Sequence, residues 1–204
     1  MSKLYDRIMG SPLVYDYLRP FLLGGITVRP AYEMLLPVKN EKILDVGCGT
    51  GIALKYLSEF AEYHGFDTDT VALNAFKKKY RDYPGLNIYN LQVTRRDVER
   101  IDPHKILLMG LLHHLDDNAA VTLMESFAYA KSLKRIVSTD VYYKKGLRYL
   151  TGNALARFDR GQYVRTPEEY KALIEKCGFV LERDMYLRSG NKLACYYIMC
   201  MRKK

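Results

Sequence analysis

The sequence holds no tryptophan and only four cysteines in 204 residues. Cys48, Cys177, Cys195 and Cys200 never reach Cys-x-x-Cys spacing and form no cluster with histidine. That excludes a disulfide framework and a structural zinc site, and no metal is expected. We read four reduced thiols and a cytoplasmic protein. Proline is scarce at 7 residues and glycine numbers 14, which excludes collagen-like and low-complexity chains. No apolar run approaches the roughly 18 residues of a membrane span. Met1–Arg7 lacks the apolar stretch of a signal peptide. Long runs of one charge are missing too. The densest are Lys77–Lys79, Arg95-Arg96, Lys144-Lys145 and Arg202–Lys204. None has the five or six like charges of a nucleic-acid tail.

What is present suffices for one core. A domain of this length buries roughly 70% of the surface its unfolded chain exposes. Apolar residues make up 49% and charged residues 27%, a globular balance. Lysine and arginine outnumber acidic residues 32 to 23, a net charge of +9. That favours an anionic partner without choosing between nucleic acid, a membrane surface and a phosphate-bearing small molecule. Tyrosine is abundant, with 18 residues against 7 phenylalanines. Its apolar ring and polar tip suit a core or a phenol-lined pocket.

The chain reads in three stretches. Residues 1–40 are rich in aromatics and turns, with Tyr5, Tyr15 and Tyr17 among them. Their prolines allow only short helices, over 12–23 and 29–36, so we expect a helical cap. Residues 41–141 alternate strands and helices. Strands are predicted over 42–47, 62–67, 86–93, 105–109 and 133–141, and helices over 52–60, 70–80 and 118–132. Such alternation argues for an α/β fold with a parallel sheet covered on both faces. In residues 142–204, Thr166-Pro167-Glu168-Glu169 opens a helix over 166–177 with a capping box, and Gly178 ends it. Strands over 179–187 and 192–201 flank a turn at Ser189-Gly190-Asn191. The sheet should therefore end in an antiparallel pair, one strand lying beside the fifth.

Ile43–Gly51 carries the chemistry. A strand runs into Gly47-Cys48-Gly49-Thr50-Gly51, whose glycines let the backbone turn tightly and approach a ligand. In an α/β sheet the ligand crevice lies outside the carboxyl ends of the strands. A dinucleotide fingerprint would close with glycine at position 52, where this chain has Ile52. Asp45 lies two residues before the turn, where it would repel a pyrophosphate and suit an amino group and a sulfonium.

This segment resembles the first motif of the class I S-adenosylmethionine-dependent methyltransferases. Gly65-Phe66-Asp67 falls at the end of strand two, where the family holds the ribose hydroxyls. Met109–Asp117, reading MGLLHHLDD, resembles the LHHL-D segment of small-molecule members. The resemblance covers residues 40–201. It implies a Rossmann-like seven-stranded sheet, mostly parallel with an antiparallel last strand and helices on both faces, in a single domain spanning 1–204. It implies S-adenosylmethionine as cofactor and S-adenosylhomocysteine as product, held by Asp45, Gly47, Cys48, Gly49, Gly51, Asp67, Thr68 and Met109. Many members carry an aspartate near the end of strand three. This chain has Asn90–Thr94 there, so Gln92 or the backbone of Val93 takes the adenine.

For the chemistry, a histidine suits proton removal from a hydroxyl. His113 is the first candidate base and His114 the second, the other reading being loop histidines that pack beneath the cofactor. Asp140 and Tyr142, with Tyr143, sit after strand five and face the same crevice by topology. Arg157, Arg160 and Tyr163, together with Arg165, fall where members place substrate contacts. An arginine there would clamp a carboxylate or phosphate, unless the loop is simply salt-bridged. Tyr5 and Tyr15 would close over the substrate or pack in the core. The expected function is methyl transfer to a small-molecule acceptor, most simply a hydroxyl oxygen, by a monomer or homodimer. A nucleic-acid methyltransferase and a non-catalytic cofactor-binding module are the alternatives. The Asn/Asp-Pro-Pro-Tyr/Phe run of base-methylating enzymes is missing after strand four.

Overall fold

Short β-branched and leucine-rich runs, each buried on both faces, build the centre of the protein. A computed structural model describes residues 27–36, 38–57, 59–143, 162–188 and 195–204. The elements run α1 (Arg29–Leu35), β1 (Lys42–Val46), β2 (Glu62–Phe66), α2 (Thr70–Lys79), β3 (Leu86–Tyr89), α3 (Arg95–Ile101), β4 (Lys105–Met109), α4 (Asp117–Ser126), β5 (Arg135–Val141), α5 (Pro167–Lys176), β6 (Phe179–Arg188) and β7 (Cys195–Lys203). They form one seven-stranded sheet in the order β3-β2-β1-β4-β5-β7-β6. Neighbours from β3 to β5 pair in parallel, while β7 is antiparallel to both β5 and β6. The last hairpin thus inserts its second strand beside β5, as the sequence implied. The predicted helix over 12–23, the turn at 189–191, and Tyr5, Tyr15, Tyr17, Arg157 and Arg160 lie outside the described residues.

Side-chain alternation along each strand divides the core in two. Leu44, Val46, Ile106, Leu108, Ile136, Tyr197, Met199 and Met201 face α3, α4 and α5. Ile43, Leu107, Val137, Ile198 and Cys200 face α1 and α2. Helices therefore cover both faces, which lets the central strands be apolar throughout. Cys195 and Cys200 point to opposite sides of β7, and all four thiols are free. No helix among the described residues is long and apolar enough to cross a membrane.

Local chemistry sets the helix starts. Asp69 caps α2 by accepting from the amides of Val71 and Ala72. Thr94 with Asp97, and Thr166 with Glu169, form capping boxes on α3 and α5. Three expectations needed correction. The helix predicted over 52–60 is a single 3-10 turn, Ile52–Lys55, entered from Gly51 at φ 75°. That turn already buries Ala53 and Leu54, and Tyr56 just beyond it stacks on Tyr32 at 4.7 Å. The predicted strand 86–93 stops at Tyr89, because the Asn90 side chain bonds to the Asp67 carbonyl and the Thr70 hydroxyl instead. Helix α3, for which no prediction was made, fills the space before β4, and the predicted 118–132 helix gives way to a 3-10 turn at Phe127–Tyr129.

Candidate active site

The carboxyl ends of β1, β2, β3, β4 and β5 lie along one end of the sheet, and the predicted cofactor residues Asp45, Gly47, Cys48, Gly49, Gly51, Asp67 and Met109 lie at or just beyond them. The glycine turn leaves β1 with the amides of Gly47 and Cys48 both donating to the Phe66 carbonyl, 2.8 and 3.2 Å. This ties the turn to the end of β2. Gly49 has φ 52°, and its amide donates to Asp67 Oδ2 at 2.7 Å. A Cβ at Gly51 would sit 2.8 Å from three carbons of the Phe76 ring, so helix α2 presses directly on the loop. Cys48 is buried over Gly65, where a Cβ would come within 2.9 Å of its sulfur. Burial first, then Asp45 and Asp67, push its thiol far up, which makes it packing and not a nucleophile.

Asp67 lies at the mouth of this turn. Its Oδ1 accepts from the Asp69 amide at 2.8 Å and its own amide donates to the Tyr89 carbonyl. A carboxylate offers about four lone-pair sites. The Gly49 and Asp69 amides use two, and two are left for a diol. Thr68 and Gln92 are exposed beside it, Val93 is buried, and Met109 is half-buried at the end of β4.

Asp45 is 1% exposed and takes one strong hydrogen bond, from the Tyr63 hydroxyl to Oδ2 at 2.5 Å. Its Oδ1 is buried without a partner among the described residues. Burial raises its pKa to about 7, helped by the nearby Asp67 and opposed by the Tyr63 bond. A buried carboxyl with an open oxygen suits a cationic donor. Together with the diol-ready Asp67 and the glycine turn, the residues fit a ligand with an ammonium or sulfonium at one end and a ribose at the other.

A second group forms at the ends of β4 and β5. The short 3-10 turn Leu112–His114 places His113 inside and His114 outside, their rings 4.2 Å apart. Asp140 is wholly buried. Its Oδ1 accepts from His113 Nδ1 at 2.8 Å and from the His113 amide at 3.1 Å, and its Oδ2 accepts from Ser138 Oγ at 2.5 Å. With Asp140 accepting, Nδ1 carries the proton and Nε2 keeps the lone pair. That Nε2 is buried and has no partner among the described residues. Asp140 thus meets His113, not open crevice.

Tyr142 is packed edge-on against Tyr186 at 5.5 Å, and burial first of all raises its hydroxyl to about 12. Tyr163 is 41% exposed at the rim, its amide donating to the His113 carbonyl. Arg165 is committed to Asp117 and to main-chain carbonyls, which corrects its expected place as an anion clamp. Tyr63, Ser138 and Asn90 were missed by the sequence reading. Tyr63 and Asn90 act through a neighbour on another strand or loop, and Ser138 through Asp140 two residues along the same strand. Among the described residues no group of histidine, cysteine, aspartate and glutamate could hold a metal.

Residues 43–132 match the sequence profile of a methyltransferase domain. A search of the curated proteins finds no match. Several solved structures share the fold at low identity. A 1,6-didemethyltoxoflavin-N1-methyltransferase of Burkholderia thailandensis, solved with 1,6-didemethyltoxoflavin and S-adenosylhomocysteine, is 16% identical, with 98% of this chain and 89% of that chain covered at a TM-score of 0.68. The cyclopropane synthase MmaA2 of Mycobacterium tuberculosis is 14% identical, covering 85% and 82%, at 0.62. The 4+2 cyclase SpnF is 15% identical, covering 85% and 78%, at 0.63. These likenesses establish the Rossmann-like fold, and function must be argued from the site.

Proposed function

We propose that the chain is a class I S-adenosylmethionine-dependent methyltransferase, a reading that the match of residues 43–132 to a methyltransferase domain supports, and that it methylates a hydroxyl oxygen of a small molecule. The observation that carries this reading is His113, whose Nδ1 is held by Asp140 while its buried Nε2 has no partner among the described residues. Oxygen acceptors differ from amines in needing a proton removed as the new bond forms. A histidine so oriented is suited to take it, an effect worth roughly 10²–10⁴-fold.

Asp45, the turn Gly47, Cys48, Gly49 and Gly51, and Asp67 with Thr68 are assigned to the cofactor. Gln92 or Val93 takes the adenine end, and Met109 lies beneath. Bound S-adenosylmethionine supplies a methyl group already made electrophilic by the sulfonium. The chain's task is then to hold the acceptor in line, and orientation of this kind is worth roughly 7–11 kcal/mol. Asp140 keeps His113 Nδ1 protonated, so Nε2 is the atom that receives the hydroxyl proton. Tyr163 and His114, exposed beside the turn, are placed to meet the acceptor.

The test is transfer of label from S-adenosylmethionine to phenols, alcohols, amines and total RNA. Label on hydroxyl compounds, lost in His113→Gln while cofactor binding persists, is the expected result. Label on amines that is untouched by His113→Gln would replace the oxygen acceptor with nitrogen. The second reading is a nucleic-acid acceptor, with which the net charge of +9 agrees without singling it out. Labelled RNA, with binding that falls steeply as salt rises, would establish it.

A further inference from the structure

We propose that Arg165 is a positioning residue for His113, acting by locking the backbone of the turn that carries it. The proposal rests on His113 being the proton acceptor, and it is tested apart from that reading.

Arg165 is 7% exposed, and its five N–H donors meet five hydrogen bonds. Nε and Nη2 donate to Asp117 Oδ1 at 3.1 and 2.7 Å. Nη1 donates to the carbonyls of Leu112 at 2.8 Å and Tyr163 at 3.2 Å, and Nη2 donates to the Leu115 carbonyl at 2.9 Å. Leu112 and Leu115 bracket the two histidines. Within the turn the Leu115 amide already donates to the Leu112 carbonyl at 3.3 Å, and Arg165 adds a second donor to that carbonyl while also capping the Leu115 carbonyl beyond it. The planar guanidinium fork reaches both ends of the turn at once. Meanwhile the Tyr163 amide donates to the carbonyl of His113 itself at 3.0 Å.

Arg165 is in turn anchored to the end of β5. The Tyr143 amide donates to its carbonyl at 3.1 Å, and Tyr142 pairs with it in a parallel bridge. Two short stretches therefore fix one histidine from both sides. Asp140 holds its side chain and amide, and residues 163–165 hold the carbonyls around it. The ion pair with Asp117 alone would not need this arrangement, because Asp117 is 85% exposed and such pairs are weak. Lysine cannot replace arginine here. Its ammonium is a single point and cannot span three carbonyls and a carboxylate.

The readout is the imidazole nitrogen signature of His113, followed by nitrogen-15 NMR on the intact protein without ligand. With Asp140 Oδ1 2.8 Å from Nδ1, the wild type is expected to show the Nδ1-protonated tautomer. Arg165→Lys and Arg165→Met should shift the balance toward the Nε2-protonated tautomer as the Asp140 contact loosens. Catalytic turnover should fall roughly tenfold to a hundredfold with S-adenosylhomocysteine affinity unchanged. Asp117→Ala, at an exposed position, should give an intermediate shift, which covers the case where Arg165 variants do not fold. Arg165 variants or Asp117→Ala that lower the melting temperature yet keep the wild-type nitrogen signature would overturn the proposal. Full activity in His113→Gln would overturn the role of His113 as base, and the nitrogen signature would still report whether Arg165 holds the turn.

Discussion

The Tyr63 hydroxyl donates to Asp45 Oδ2 across 2.5 Å, between two side chains that are both buried. The carboxyl is held on one side only, and its ionisation is opposed by burial. Its pKa is raised from 3.8 in the unfolded reference to about 7. A raised carboxyl stabilises the fold most below the unfolded value, and that contribution is lost as pH climbs through about 7. The Asp45 contribution to stability should therefore decline between pH 4 and pH 8. The contribution is on the order of 4 kcal/mol at about 1.4 kcal/mol per unit. Asp45→Asn should abolish most of that slope in thermal melts taken across the range. S-adenosylmethionine affinity should rise over the same pH window in the wild type, because the ionised form pairs with a cation, and should stay flat in Asp45→Asn.

Gly51 tolerates no side chain. Its φ is 75°, and a Cβ would overlap the Phe76 ring at 2.8 Å. Left-handed backbone costs roughly 1–2 kcal/mol for alanine, and overpacking adds roughly 1–3 kcal/mol. Gly51→Ala should lower stability by about 2–5 kcal/mol in urea unfolding and weaken cofactor binding. Adding Phe76→Leu should recover part of the stability by giving the Cβ room. No recovery would mean that the backbone conformation, not the ring, sets the cost.

Asp67→Ala removes the acceptor for the Gly49 and Asp69 amides together with the proposed ribose contact. Hydrogen bonds to a charged group are worth about 1.5–3 kcal/mol. Calorimetry should show S-adenosylhomocysteine binding weakened roughly 10- to 100-fold. An unchanged affinity would remove Asp67 from the cofactor site.

His113→Gln should leave cofactor affinity within about twofold while methyl transfer to a hydroxyl acceptor drops roughly 10²–10⁴-fold. Asp140→Asn should fall in the same direction, since the amide can donate to Nδ1 and favour the wrong tautomer. His114→Gln, at an exposed position, should cost far less. Comparable losses in all three would point to a general disturbance of the turn.

The parts legible in the sequence were those with local causes. Gly47-x-Gly49-x-Gly51 after a strand, Asp69 and Thr166 as caps, and the alternation in β7 all follow from residues within a few positions of one another. Helix α3 was legible in principle through Thr94 and Asp97, whose capping box is a local signal. The helix expected after Gly51 was a fair reading of an apolar pattern. It failed because one turn already satisfied Ala53 and Leu54 against the α1 and α2 side of the sheet.

The sequence by itself determined the order of strands and helices and the chemical character of the cofactor edge. Backbone conformation, capping and side-chain alternation act over a few residues and are written in neighbouring letters. Only the tertiary structure decided what each polar group at that edge does. Asp45 meets Tyr63 from the next strand, Asp140 meets a histidine 27 positions away, and Arg165 spends its guanidinium on a turn 50 and 53 positions earlier. Those pairings come from strand order and chain crossing, and burial then sets which groups hold charge, which donate and which are left open to a ligand.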